Sequence, residues 1–440
     1  MENKDSSTKL KNIIFLVFTD SAGHLLPTFF FSDFLRGQGH TVKYVSNPTM
    51  KKHMAVYDAE KCWVSYPSTE SFFFGYPLSV FPTLPTTLQD VRKRLQGGES
   101  ITGDEDTAFR LAITIGTKEL MEKRLELIKN AFDETKENII VYDSPCSLLA
   151  LLASKTLKVQ LMRSETYLCN FSSERVYVQG KELKGVLHDE LEEMYINFRK
   201  SFGIESPATL HDYFDMFIQN SLPEYTLIYS PKELYIPGST LKNHLYLCKR
   251  FNEKTKNLEK LDRSSLNSGD QIFVGFGTGK VATTNTTIYS NVIDTFCQFG
   301  FKVFITTGGN EETFNWLNKN YENNELVKVV KFCNQLEIIS QCKLAIMHGG
   351  ANGLHEAIHI GVPCVVSPFT VEQNINADLL KNLKICEKIV IENGNVKEQL
   401  GSALKSFQEN WSNFSAELSK LQRIILEEND IEKALGIISK

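Results

Sequence analysis

The stretch Phe332–Ala377, FCNQLEIISQCKLAIMHGGANGLHEAIHIGVPCVVSPFTVEQNINA, decides how the 440-residue chain is read. Lys343 to Met347 is the short apolar run of a buried strand, His348-Gly349-Gly350 is a turn without side-chain bulk, and Ala351 to Ile360 has helical periodicity. Gly361-Val362-Pro363 stops that helix, and Cys364-Val365-Val366 begins another strand. The order is strand, turn, helix, strand, with a helix opening at the carboxyl end of a strand.

The first amides of a helix lack partners and sit at the positive end of its dipole, and two glycines let an anion approach the backbone. A phosphate is the natural guest, and His348 at the strand end adds a donor to it. Glu356 lies roughly 12 Å along the helix from His348 at 1.5 Å per residue, about the reach from a phosphate to the far side of a ribose. Its carboxylate can accept from two vicinal hydroxyls. Glu372-Gln373 follows the next strand, in the loop where an open α/β sheet presents polar groups to a ligand. An ordinary βαβ unit explains the apolar runs and the glycines. It does not explain a His, a Glu and a Glu-Gln pair all at ligand-facing ends.

On these residues the stretch resembles the donor-binding motif of the family 1 UDP-glycosyltransferases. That pattern runs from an aromatic and Gln through His-x-Gly-x-Asn and a helix Glu to Gly-Val-Pro and Asp/Glu-Gln-x-x-Asn. The resemblance implies that Phe332 stacks on uracil, that Gln335 contacts the uridine with Cys333 in the same donor set, and that His348 and Asn352 hold the diphosphate beside Gly350 and Gly353. It gives the ribose to Glu356 and the sugar hydroxyls to Glu372 and Gln373. The sequence departs from the family at Phe332, usually Trp, at Asn334, usually Pro, and at Gly353, often Ser or Thr. The interval from Phe332 to His348 is shorter than in plant and animal members and looks like that of the bacterial macrolide-type branch.

Length points to two domains, and 42% hydrophobic with 23% charged residues is an ordinary globular balance. A net charge of −5 offers no general attraction for nucleic acid. Nine cysteines without a CxxC pair argue against a disulfide framework and for a reducing, cytoplasmic compartment. The polar N-terminus is not a signal peptide, and no stretch reaches the roughly 18 apolar residues of a membrane span.

Ile13 to Phe18 reads as a buried parallel strand, Thr19 to His24 as the loop after it, Leu25 to Arg36 as a helix and Thr41 to Ser46 as the second strand. Gly23-His24-Leu25-Leu26-Pro27 resembles the loop that carries the family's catalytic base; by itself, a histidine at a helix start is often a surface or capping residue. Phe72, Phe73, Phe74 and Tyr76 fit either an acceptor pocket or a lid over the core. Asp104-Glu105-Asp106 is formally a metal-binding Asp-x-Asp but reads as a solvated loop and helix start before a helical stretch from Phe109 to Phe132. Asn138 to Tyr142 is another strand. Asp143 after it resembles the family's partner for the catalytic His, and it would also suit a helix cap. Residues 165–222 read as a helical insertion on the acceptor side, and Tyr225 to Ser230 as the last strand of the first domain. In the second domain, Gln271 to Phe276, Phe301 to Thr306 and Leu326 to Lys331 read as strands, with Gly277-Thr278-Gly279 as a further phosphate-facing turn; after Ile389 the pattern is helical. His355-Glu356-Ala357-Ile358-His359 matches a zinc-protease string, but Glu356 already has a task in the donor motif and a third ligand is wanting.

The resemblance implies an α/β protein of GT-B architecture, two Rossmann-like doubly wound parallel-sheet domains facing a central cleft. The expected boundaries are 1–231 for acceptor binding, 232–270 for a linker, 271–415 for UDP-sugar binding, and 416–440 for a helix packing back on the first domain. The expected reaction is inverting transfer of a sugar, glucose, from UDP to a hydroxyl of a small lipophilic acceptor such as a phenolic or flavonoid-like xenobiotic. His24 would be the base, Asp143 its partner, and the UDP-sugar a co-substrate, with no metal or other cofactor and no evident partner protein. Detoxification follows by analogy alone. Two alternatives stay open, a non-catalytic nucleotide-sugar binder and a GT-B enzyme acting on a membrane glycolipid or sterol.

Overall fold

Lys11–Val17 (β1) is buried along its whole length, and its side chains alternate between two cores. Ile14 and Leu16 join Met121, Tyr142 and Leu148 on one face, while Ile13, Phe15 and Val17 join Phe29, Val141 and Leu245 on the other. Burial on both faces is the condition of a parallel sheet between two helical layers. The computed structural model describes residues 9–18, 22–51, 63–65, 72–73, 76–77, 84–96, 103–166, 179–218, 225–234, 243–248, 261, 265–277, 285–390, 395–427 and 430–439.

Around β1 stand Thr41–Ser46 (β2), Trp63–Ser65 (β3), Glu137–Asp143 (β6), Gln160–Glu165 (β7), Tyr225–Ile228 (β8) and His244–Tyr246 (β9), while Phe72–Phe73 (β4) and Tyr76–Pro77 (β5) form a separate antiparallel pair. The sheet runs β3-β2-β1-β6-β7-β8-β9, parallel throughout. The second sheet comprises Gln271–Gly275 (β10), Lys302–Thr306 (β11), Val327–Val330 (β12), Leu344–Met347 (β13), Cys364–Val366 (β14) and Cys386–Lys388 (β15). Its order is β12-β11-β10-β13-β14-β15, again all parallel. Each is a doubly wound sheet whose winding reverses beside its first strand. The chain divides into two compact units, one of 1–248 with 429–440 and one of 249–428.

Several expectations change. The strands β3, β7, β9 and β15 were not foreseen, because three are only three residues long and β7 ends in Arg163, Ser164 and Glu165. Those polar side chains are buried, and the guanidinium and carboxylate of Arg163 and Glu165 lie 2.8 Å apart. The expected linker 232–270 contains β9, which extends the first sheet beyond Tyr225–Ile228. The first helix begins at Ala22, so Gly23 and His24 lie in its first turn and not in a loop. The helical stretch after Phe109 is two helices, Gly103–Ile115 and Lys118–Ala131, broken at Gly116 (φ +64°) and restarted where the Thr117 side chain accepts from the Leu120 N–H. Asp104 and Glu105 stand in the first turn of the former, and Glu105 pairs with Arg94 at 2.6 Å.

The C-terminal region divides differently from the expected 416–440 helix. Val396–Glu427 is one kinked helix that lines the second core through Phe407, Trp411 and Phe414, and its far end is tied to the same unit by Gln422 Nε2 donating to the His359 carbonyl at 2.8 Å. The Ile431–Ile438 helix goes with the first unit instead, burying Ile431, Ala434 and Ile438 against the β1 core while Asp430 accepts from the Tyr246 N–H at 2.9 Å. All seven described cysteines are free thiols. Among the described residues no helix is long and apolar enough to cross a membrane.

Gly361 ends the Ala351–Ile360 helix in the left-handed region at φ +82°, and a Cβ there would stand 2.8 Å from the Gln422 amide nitrogen. Gly361→Ala is therefore expected to destabilise the second unit by about 1 kcal/mol or more, read as a lower unfolding temperature in a calorimetric scan.

Candidate active site

In the first unit the winding reverses between β1 and β6. The Ala22–Gly37 helix after β1 packs on the Phe15 face through Leu25 and Phe29, whereas the Ser147–Leu157 helix after β6 packs on the Leu16 face through Leu148 and Leu152. Departure to opposite faces opens the carboxyl edge between the two strands. Asp143 is the last residue of β6, and His24 stands in the first turn of the helix that follows β1. His24 Nδ1 lies 2.8 Å from Asp143 Oδ2, with the Asp143 side chain wholly buried and the His24 ring 13% exposed. The Thr166 hydroxyl lies 3.4 Å from the same ring nitrogen. A carboxylate at Nδ1 keeps the proton there and puts the lone pair on Nε2, the tautomer a general base requires. Asp143 does not cap the next helix, whose N-cap is Cys146 after a short 3-10 turn.

The second unit repeats the logic between β10 and β13. Gly277 follows β10, and His348-Gly349-Gly350 follows β13 and leads into the Ala351–Ile360 helix. The His348 ring lies between two glycines: a Cβ on Gly277 would stand 2.8 Å from its Cε1, and one on Gly350 would stand 2.4 Å from its Nε2. Gly349 adopts φ +90°, and its carbonyl accepts from the buried Asn376 amide at 2.9 Å, which fixes the turn. Enclosure by the main chain pushes the His348 pKa down to about 4, partly offset by a hydrogen bond with the Gly275 backbone, although the ring keeps some exposed surface. Beside it the Asn352 Oδ1 is buried with no hydrogen-bond partner among the described residues; buried polar atoms of this kind are completed by water or ligand.

The other donor-motif residues gather on the same edge. Phe332 is 68% exposed and lies over Gly309, where a Cβ would come within 2.3 Å of the ring. The Gln335 amide donates to Glu356 Oε2 at 2.5 Å. Gly353, in place of a hydroxyl residue, leaves room for the Met347 methyl and the Gln335 amide, 2.8 and 3.3 Å from where its Cβ would be. Cys333 is half-buried, and burial pushes its thiol up to about 11, with Glu356 and Glu337 adding to the shift. Glu372 and Gln373 occupy the first turn of the Val371–Asn382 helix and not a loop, because the Thr370 hydroxyl caps it by accepting from the Gln373 N–H. Gln373 Oε1 accepts from the Phe369 N–H at 2.8 Å, and Glu372 Oε1 lies 3.5 Å from the Asn376 amide.

Sequence reasoning gave no role to Asn376, Gly309 or Met347, which act by supporting others; the spacing Glu372-Gln373-x-x-Asn376 was the available signal for the first. Thr278 and Phe74 lie outside the described residues. Phe72, Phe73 and Tyr76 are described only as backbone in β4 and β5, so the acceptor-pocket expectation lies outside the described side chains. Among the described residues no three His, Cys, Asp or Glu side chains form a metal-binding group, and His355 of the zinc-like string is buried. A cavity of about 430 Å3, bounded by Lys381, Glu387, Lys388, Glu398 and neighbouring polar residues, shares no residue with either site, and those four charges cancel.

Residues 271–433 match the glycosyltransferase family 28 C-terminal domain. Together with two parallel-sheet units that match GT-B structures, this gives the chain a GT-B architecture whose second unit resembles a glycosyltransferase C-terminal domain. It is 23% identical over 258 residues to YdhE of Bacillus subtilis strain 168, an uncharacterized UDP-glucosyltransferase, a match spanning 58% of this chain and 61% of that protein. It is 20% identical over 406 residues to YojK of the same organism, also described as an uncharacterized UDP-glucosyltransferase, covering 90% of each. Among solved structures it superposes on the glycotransferase of kitacinnamycin with a TM-score of 0.68 at 18% identity, over 98% of both chains.

The folded protein holds the His348 proton less tightly than an unfolded chain does, whose His titrates near the ordinary 6.5. The stabilising contribution of the neutral ring is thus full above pH 6.5 and is lost as pH falls toward about 4. His244, pushed down to about 4 by burial and by the charge of Arg163, acts in the same direction. Melting temperatures measured across this window should fall with pH, and fall less steeply in His348→Gln.

Proposed function

We propose that the protein transfers a sugar, glucose, from UDP-glucose to a hydroxyl of a small lipophilic acceptor with inversion at the anomeric carbon. The observation that carries this reading is the contact between His24 and the buried Asp143 at the switch point of the first sheet. A neutral imidazole held at Nδ1 can take the acceptor's proton on Nε2, and the adjoining carboxylate then stabilises the imidazolium that forms. The acceptor oxygen forms a bond to the anomeric carbon as the bond to the diphosphate oxygen breaks on the opposite side.

The second unit supplies the donor's handles. Phe332, exposed over Gly309, offers a face for uracil, and Glu356, held by Gln335, accepts from the ribose hydroxyls. The departing diphosphate meets the amides after Gly350, neutral His348 and the amide of Asn352. Gln373 has its carbonyl oxygen engaged by Phe369, which turns its amide nitrogen to the task of a sugar hydroxyl. In this scheme fixed backbone and side-chain donors stabilise the leaving charge without a cation. The names of YdhE and YojK favour a UDP-linked glucose as donor.

UDP calorimetry paired with a transfer assay on a panel of phenolic acceptors tests the reading. His24→Ala is expected to keep UDP affinity and to lose turnover by about 10²–10⁴-fold, the usual worth of a positioned base; retained turnover removes His24 from that role. Glu356→Ala should instead weaken UDP binding several-fold, and a chelator should leave the rate unchanged. UDP binding with no transfer to any acceptor would favour the non-catalytic binder.

A further inference from the structure

Phe332 is the most exposed large apolar side chain among the described residues. A phenyl ring so open to water turns about its torsions unless a neighbour holds it, and ordering it on binding subtracts from what stacking contributes. The neighbour here is the turn that leaves β11. Gly309 in that turn stands at φ +86°, and a Cβ on it would come 2.3 Å from Cζ of the Phe332 ring, 2.7 Å from Cε2 and 3.3 Å from Cε1. The outer end of the ring therefore rests on bare main chain, as close as only a glycine permits. That main chain is itself fixed. The Lys331 carbonyl, one residue before Phe332, accepts from the Gly309 N–H at 3.0 Å and from the Thr306 hydroxyl at 3.1 Å, and the Thr307 N–H donates to the Val330 carbonyl at 3.1 Å. Beyond the turn, the Asn310 side chain caps the Glu311–Tyr321 helix, and the Glu311 carboxylate holds the Lys331 ammonium at 2.6 Å.

We infer that Gly309 is a positioning residue for the donor's nucleobase, setting the tilt and height of the Phe332 ring before the nucleotide arrives. The inference rests on the reading of Phe332 as the face for uracil. Gly309 lies in the exit turn of a different strand, outside Phe332–Ala377, and acts through the ring without touching the nucleotide. A side chain at 309 would meet Cζ and Cε2. The Phe332 backbone cannot retreat, because the preceding carbonyl is pinned by two donors, so the ring itself would have to turn. Dispersion between two planes is lost atom by atom once they cease to be parallel. A turned ring therefore holds the base more weakly, while Glu356 and the His348 turn keep their own geometry toward the ribose and the diphosphate.

Calorimetric titration of the whole protein with UDP tests this, comparing the wild type with Gly309→Ala, Phe332→Ala and the double variant. Phe332→Ala is expected to weaken UDP binding about 5- to 150-fold, the usual worth of one base stacked on an aromatic ring. Gly309→Ala should weaken it about 2- to 12-fold, the range for a side chain no longer held in place before binding. Once Phe332 is alanine, the Gly309 substitution should have no further effect, because its whole influence passes through the ring. A Gly309→Ala loss of equal size in both backgrounds, or no loss in either, overturns the proposal and leaves Phe332 as the base platform. Unchanged UDP affinity in Phe332→Ala removes the platform itself, so the two readings fail by different results. Should Gly309→Ala not fold, nuclear Overhauser contacts in the UDP-bound wild type decide instead: contacts between the Phe332 ring protons and the Gly309 α-protons uphold the proposal, and their absence overturns it.

Discussion

Reversal of winding beside the first strand of each sheet is the constraint on which the chemistry rests. A right-handed crossover sends the chain after β1 to one face and the chain after β6 to the other, and the same separation holds for the exits of β10 and β13. Nothing in the sheet then covers the carboxyl edge between those strands. His24 and Asp143 occupy that edge in the first unit, and Gly277 with His348 occupies it in the second. The two edges share one geometric origin, a gap between helices that leave in opposite directions.

Each gap is held by a group that would be unfavourable elsewhere. Asp143 has no exposed surface, and Asn376 is buried with its amide committed to the Gly349 carbonyl. Buried polar groups of this kind raise the free energy of any arrangement in which their partners drift, so they narrow the turn and the ring to one position each. The surrounding strands add rigidity, because β1 and β10 are central and buried and cannot shift register without moving their apolar side chains off both cores. Precision at the edge thus comes from strands whose own sequence carries no chemistry.

Legibility in the sequence tracked how local each signal was. The helix Ala351–Ile360 and the strands Thr41–Ser46 and Cys364–Val366 lie where their periodicity puts them, since glycines or a proline punctuate them within a few residues. The strand Gln160–Glu165 was not legible because its burial depends on Arg163 and Glu165 meeting, a pairing that no hydrophobic pattern encodes. Short edge strands such as His244–Tyr246 and Cys386–Lys388 owe their existence to a neighbour's hydrogen bonds more than to their own residues. Within the site, residues that would touch a ligand stood out by type and spacing, while Asn376, which holds the Gly349 carbonyl, looks like an ordinary helix position until packing is seen.

Two glycines around the His348 turn, Gly350 and Gly353, have a packing cause. Gly350 sits at φ −66°, where any residue is at ease, so its lack of a side chain answers to space alone, the His348 ring standing where a methyl would be. Gly353 is helical as well, and there the vacated volume takes the Met347 methyl and the Gln335 amide. A Ser or Thr at that position would push the Met347 methyl aside and press on the Gln335 amide, which makes the 2.5 Å contact to the Glu356 carboxylate. A side chain at position 353 and the undisturbed Gln335–Glu356 pair therefore compete for the same space.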